Sequence, residues 1–290
     1  MNAITRVPKG VPAGGQFAEG RRAESETSLV STAAPVATLE APEQLPMAGF
    51  VPPRIRDTIW DASYEARRTG RVSDVTMDSL RTCLPATADD EIADGIDRLT
   101  ATEANDYEEQ RAIINDLASA DQQRRGIPAL DEIDGLPGKL AHPNPYGQGS
   151  YVGTRYERSR SVAETARQVR SRLKDLTASG WLPPGLKYSV RTRRGGWSSM
   201  LHVTVQGLGD ERIYAPHDET APYSRQYTDE AEELRRRVTD VVDDFNADRS
   251  DSMTDYFDVD FYSRVDLETD SDKEFRLDEA AKRAAKRKSA

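Results

Sequence analysis

The sequence predicts an α+β protein: an α-β-β-α-β two-layer module over residues 155–270 with a small antiparallel-containing sheet, preceded by a disordered arm and a helical region. Three observations predict it. Polar and apolar side chains alternate through Lys187–Arg193, Ser199–Val205 and Asp258–Leu267, the period that sends successive side chains to opposite faces of a strand. Apolar residues recur at helical spacing through Ser161–Ser179 and Asp229–Phe245, giving each segment one face to bury. Between the first two alternating runs stands Arg194-Gly195-Gly196-Trp197, where a hairpin turn needs residues that tolerate unusual backbone angles.

Residues 1–50 are rich in Gly, Pro, Ala, Ser, Thr and Glu, with isolated apolar residues and no period. Such a stretch cannot bury enough surface to offset its ordering entropy, so a disordered arm is expected. Within it, Val7-Pro8-Lys9-Gly10-Val11-Pro12-Ala13-Gly14-Gly15-Gln16-Phe17-Ala18 resembles a short Gly-Gly-Gln-Phe-Ala motif at the start of many proteins of actinobacteria and their mobile elements. The resemblance implies a genomic neighbourhood and no activity. Phe17 is a single aromatic anchor suited to docking in a partner's groove; an inert tail is the alternative.

Residues 51–126 read as helical. Pro52-Pro53 precede Ile55, Ile59, Ala62 and Ala66 at helical spacing, and Gly70 supplies the stop. Ser73 and Thr87 are candidate caps for the next two helices, the latter followed by Asp89, Asp90 and Glu91, which the helix dipole favours in a first turn. Ile92, Ile96, Leu99, Tyr107, Ile114 and Leu117 make a narrow stripe, so the region is expected to lean on the later domain or on a second copy. Residues 127–154, with Pro137-Gly138 and Pro143-Asn144-Pro145, read as a linker.

In the module, Val162, Ala166, Val169, Leu173 and Leu176 mark one helix, ended by Gly180, and Ala231, Leu234, Val238, Val241 and Phe245 a second, capped by Thr228. Tyr188 and Val190, then Leu201, Val203 and Val205, then Val259, Phe261, Val265 and Leu267 supply the apolar faces of three strands. Ser161–Leu176, the strand Lys187–Arg191 with its Gly-Gly turn, and above all Ser250-Asp251-Ser252-Met253-Thr254-Asp255-Tyr256-Phe257-Asp258-Val259-Asp260-Phe261-Tyr262 resemble the large polyvalent protein-associated domain 29. That resemblance covers a little over a third of the chain. It implies a phage or mobile-element protein that helps incoming DNA establish itself, and it brings no catalytic residues.

Charge is segregated. Residues 155–194 hold 11 Lys/Arg against 3 Asp/Glu, residues 240–272 hold 12 acidic residues against 2 arginines, and the basic tail, residues 271–290, turns cationic again, while the whole chain carries −10. The basic stretch can be a polyanion-binding face, or the two blocks can be opposite faces of one domain attracting each other. For nucleic acid the candidates are Arg167, Arg170, Lys187, Arg191, Arg193, Arg194 and Trp197: arginines for phosphates and an aromatic ring for a base. For a metal ion they are Asp255, Asp258 and Asp260, because hard cations want converging carboxylates; turn and capping roles are the alternative.

The one cysteine, Cys83, excludes an internal disulfide framework, and there are three histidines. No phosphate-cradling glycine loop, nucleophile elbow or paired-histidine motif appears, and no cofactor is called for. Without an apolar run of membrane-spanning length or a signal-peptide core, the chain is expected to be cytoplasmic. The leading expectation is a non-catalytic accessory protein of a phage or mobile element that binds DNA or RNA weakly and without sequence preference through its basic hairpin. A protein-interaction module acting on a host or virion partner is the second, and a metal-dependent enzyme using Asp258 and Asp260 the third.

Overall fold

The computed structural model describes residues 45–103, 105–141, 150–195, 198–216, 226–250 and 258–288. Four helices come first: α1 (Pro53–Thr69), α2 (Asp74–Cys83), α3 (Asp89–Ala101) and α4 (Tyr107–Arg124). Pro53 opens α1, where its missing N–H costs nothing. Gly70 closes it in the left-handed conformation (φ 77°), its N–H donating to the Ala66 carbonyl. Ser73 caps α2 by accepting from the Thr76 amide.

The expected Thr87 cap is different. Ala88 occupies the cap position of α3, and the Thr87 hydroxyl donates instead to Asp121 of α4 at 3.0 Å. Asp121, 2% exposed, also accepts from the Ala86 amide at 2.7 Å, so a buried carboxylate holds the α2–α3 turn against α4. The helices pack as a small bundle that touches the later domain, Arg54 lying 3.5 Å from Glu230. Ile59, Leu80, Leu84, Ile92, Ile96 and Leu99 close a core of their own; narrow stripes suffice because α1 packs against the other three helices.

The stretch expected to be a linker carries two short strands, β1 (Lys139–Ala141) and β2 (Tyr151–Gly153). With β5 (Ala247–Asp248) they form an antiparallel sheet in the order β1-β2-β5. Gly153 is required here: a Cβ would collide with the main-chain oxygens of Asp243 and Asp244, while its own N–H donates to the Asn246 carbonyl at 2.8 Å.

The module contains α5 (Val162–Ala178), β3 (Lys187–Gly195), β4 (Ser198–Gln206), α6 (Asp210–Ile213), α7 (Asp229–Asp243) and β6 (Tyr262–Leu267), followed by α8 (Asp270–Lys288). Ser161 and Glu164 cap α5 reciprocally, and Thr228 caps α7. The main sheet runs β3-β4-β6, with β3 and β4 antiparallel and β6 parallel to β4. Val190 lies opposite Val203, which lies opposite Val265. These residues share one core with Val169 and Leu173 of α5, Val238 and Val241 of α7, and Phe261, so the α+β two-layer architecture stands.

The alternating run Asp258–Leu267 is not one strand. Val259 bridges to Asp248 beside the small sheet, the chain bends at Asp260, and β6 begins at Tyr262 in the main sheet. Asn246 spans the crossing: its side-chain nitrogen donates to the Phe261 carbonyl at 2.9 Å and its oxygen accepts from the Phe261 amide at 3.3 Å. The side chain thus supplies both partners a neighbouring strand would have given. The basic tail, residues 271–290, is largely helical, α8 taking up 270–288.

Candidate nucleic-acid interface

The helices α5 and α7 cover one face of the main sheet, and the other face is open. Strand alternation and the register together fix what it shows. Across β3, β4 and β6 in turn, one row is Arg193, Met200 and Tyr262, the next Arg191, His202 and Arg264, and the next Ser189, Thr204 and Asp266. Arg191 and Arg193 are exposed, and Met200 and Tyr262 are 36% and 47% exposed. Exposed cations beside an exposed ring on a rigid strand surface are what a polynucleotide needs, phosphates meeting guanidinium groups and a base lying on the ring.

Carboxylates on this face are engaged. Asp266 is 2.8 Å from both His202 Nε2 and Arg264 Nε, and it holds the Arg264 guanidinium above the ordinary arginine pKa. Glu268 accepts from Gln206 at 2.9 Å and from Arg276 of α8 at 2.6 Å, and raises Arg276 in the same way. Arg191 and Arg193 have no carboxylate partner among the described residues. Next to this platform α8 forms a wall. Between it and the floor of Ser189, Arg191, Thr204 and Gln206 runs a trough of about 930 Å³, with Phe275, Arg276 and Arg283 along the helical side.

The structure divides the expected nucleic-acid residues. Lys187, Arg191 and Arg193 share β3 and project to the open face. Arg167 and Arg170 do not join them, because α5 packs against the opposite face: Arg167 lies 3.7 Å from Glu164, and Arg170 donates to the Val190 carbonyl, tying α5 to β3. Trp197 and the Arg194 side chain lie outside the described residues, as do Phe17 and Asp255. Tyr262, Met200, Phe275 and Arg264 were missed as candidates. For Tyr262 and Met200 a signal was present, since both occupy the polar parity of otherwise regular strands.

The aspartates expected to bracket a metal ion diverge. The Asp258 carboxylate meets Arg249 at 2.8 and 3.1 Å, and together with the Tyr156 hydroxyl it holds that guanidinium above its ordinary pKa. Asp260 sits at the bend and accepts from the Tyr156 hydroxyl at 3.4 Å. Among the described residues no group of three or more His, Cys, Asp or Glu gathers as a metal site. The two charge blocks do meet in places: Arg155 pairs with Asp244 at 3.1 Å, while Arg191 and Arg193 have no such pairing among the described residues.

Among the described residues no helix is long and apolar enough to cross a membrane. No protein-family model, no curated protein and no solved structure matches this chain.

Proposed function

We propose that the chain binds nucleic acid without catalysis and without sequence preference, through the open face of β3, β4 and β6. One observation carries the reading: Arg191 and Arg193 stand exposed and unneutralised by any described carboxylate, on the same rigid surface as the exposed Tyr262 ring. Guanidinium groups on phosphates and a ring under a base discriminate little between sequences. The net charge of −10 opposes a polyanion, so affinity is modest and falls steeply with salt. Service as an accessory protein of a phage or mobile element rests on the sequence resemblance alone.

The test is fluorescence anisotropy of labelled DNA and RNA oligonucleotides titrated with the protein at increasing salt. Binding that weakens linearly on a log–log plot supports the reading, and absence of binding at low ionic strength overturns it.

A protein-interaction role has its own observation. On the helical part, Trp60, Tyr64 and Tyr107 are exposed by 37%, 66% and 65% around a hollow of about 350 Å³ that Arg67 and Arg68 also line. Aromatic and arginine side chains of this kind dominate binding hot spots. A defined host or virion partner that binds the parent protein and not Tyr64→Ala would favour this reading; a partner whose affinity is unchanged by Tyr64→Ala and Trp60→Ala would reject it.

A further inference from the structure

Phe275 is the largest exposed apolar side chain of α8, at 69%, and a solvated helix has no use for it. It nevertheless lines the trough opposite Arg191, together with Arg283. The acidic groups there are taken up: Glu268 by Arg276, Glu279 by Lys282 at 3.3 Å. Arg283, like Arg191, has no carboxylate partner among the described residues. The trough therefore offers a polyanion two uncompensated cations on facing sides and an aromatic ring on the helical wall. Its volume of about 930 Å³ is that of a site for one large organic ligand.

We infer that the polynucleotide this face takes is single-stranded, passing between β3 and α8 with one base on Phe275 and phosphates at Arg191 and Arg283. The inference rests on the nucleic-acid reading above and narrows it. In a duplex the bases are stacked on one another and their faces are covered, so Phe275 has no base to stack on. A flexible strand turns its bases outward, and each has a π-face for a ring to cover. Tyr262, at the open end of the same sheet face, supplies a second ring further along the path.

The experiment uses the full chain and three labelled probes: a DNA strand, an RNA strand of the same sequence, and the DNA duplex. Expected are at least tenfold tighter binding of one or both single strands than of the duplex, a loss of about tenfold for single strands in Phe275→Ala, and near-parent affinity in Phe275→Trp. Because Phe275 is exposed, its variants keep the parent melting temperature, which is measured alongside. The DNA and RNA arms show which sugar is accepted. Equal or tighter duplex binding overturns the inference, as does unchanged single-strand affinity in Phe275→Ala. If Arg191→Ala weakens binding in that case, the broader nucleic-acid reading survives the loss; if no probe binds at low salt, both fall.

Discussion

The guanidinium of Arg237 lies 5.1 Å from the centre of the Trp181 ring and donates to the carbonyl of that same residue at 2.5 Å. It donates a second bond to Ala48 at 2.8 Å and a third to Glu233 at 2.6 Å. A cation that is 3% exposed thus has a partner at each of its three nitrogens, and it ties the segment before α1 and the turn after α5 to α7. Burial draws its pKa below the ordinary arginine value while Glu233 opposes that pull.

Replacing Arg237 should therefore be among the most damaging single changes. Arg237→Met strands the buried carbonyls of Trp181 and Ala48, while Glu233 keeps its bonds from Arg236, and is expected to cost about 3 kcal/mol. Urea unfolding measures this as a lower midpoint at unchanged slope; a midpoint within error of the parent would contradict the assignment.

At Gly153 the constraint is steric. Gly153→Ala drives a methyl into the main-chain oxygens that end α7, and overpacking of this kind costs about 2 kcal/mol. A fall in melting temperature of about 4–8 °C is expected, whereas Gly185→Ala, where nothing lies within 4 Å of the added carbon, suffers only from its left-handed backbone.

Burial against the main core pushes the Tyr188 phenol up to about 12. The folded value lies above the unfolded one near 10. The associated stability is therefore whole below pH 10 and drains away as pH rises through 12. Roughly 2 kcal/mol is at stake after allowing for partial solvent access. Tyr188→Phe should lose correspondingly less stability than the parent between pH 10 and 12, measured by denaturant titration at each pH.

For the binding face, each phosphate contact removed lowers the salt slope by about one. Arg191→Ala and Arg193→Ala are each expected to do so. Arg167→Ala, on the helix behind the sheet, should leave the slope unchanged. Equal effects from all three would mean that net charge, and no particular surface, governs binding.

The two helices and most of the three strands of the module were legible because long amphipathic segments print their period on the sequence. Val190, Val203 and Phe261 meet in one core as that period requires. The small sheet was not legible: strands of two or three residues are too short to show alternation, and β1 and β2 hide among prolines and glycines that signal loop. The break at Asp260 escaped because alternation continues unbroken across it, and only Asn246, fifteen residues before Phe261, reveals the change of sheet. Of the interface, the β3 arginines could be read from the sequence. Phe275 could not, since its significance lies in a helix returning to a sheet face distant along the chain.

The strand nearest the C-terminus, β6, fills the flank of β4 and runs the same way. A ribosome delivers the β3–β4 hairpin and α7 first, leaving one side of β4 with bare amide and carbonyl groups until the final strand emerges. Nascent chains consequently carry a sticky border at the place where the receptor surface will later stand. Tyr262 and Arg264 arrive with the piece that seals it, so closure of that border and assembly of the surface are a single event.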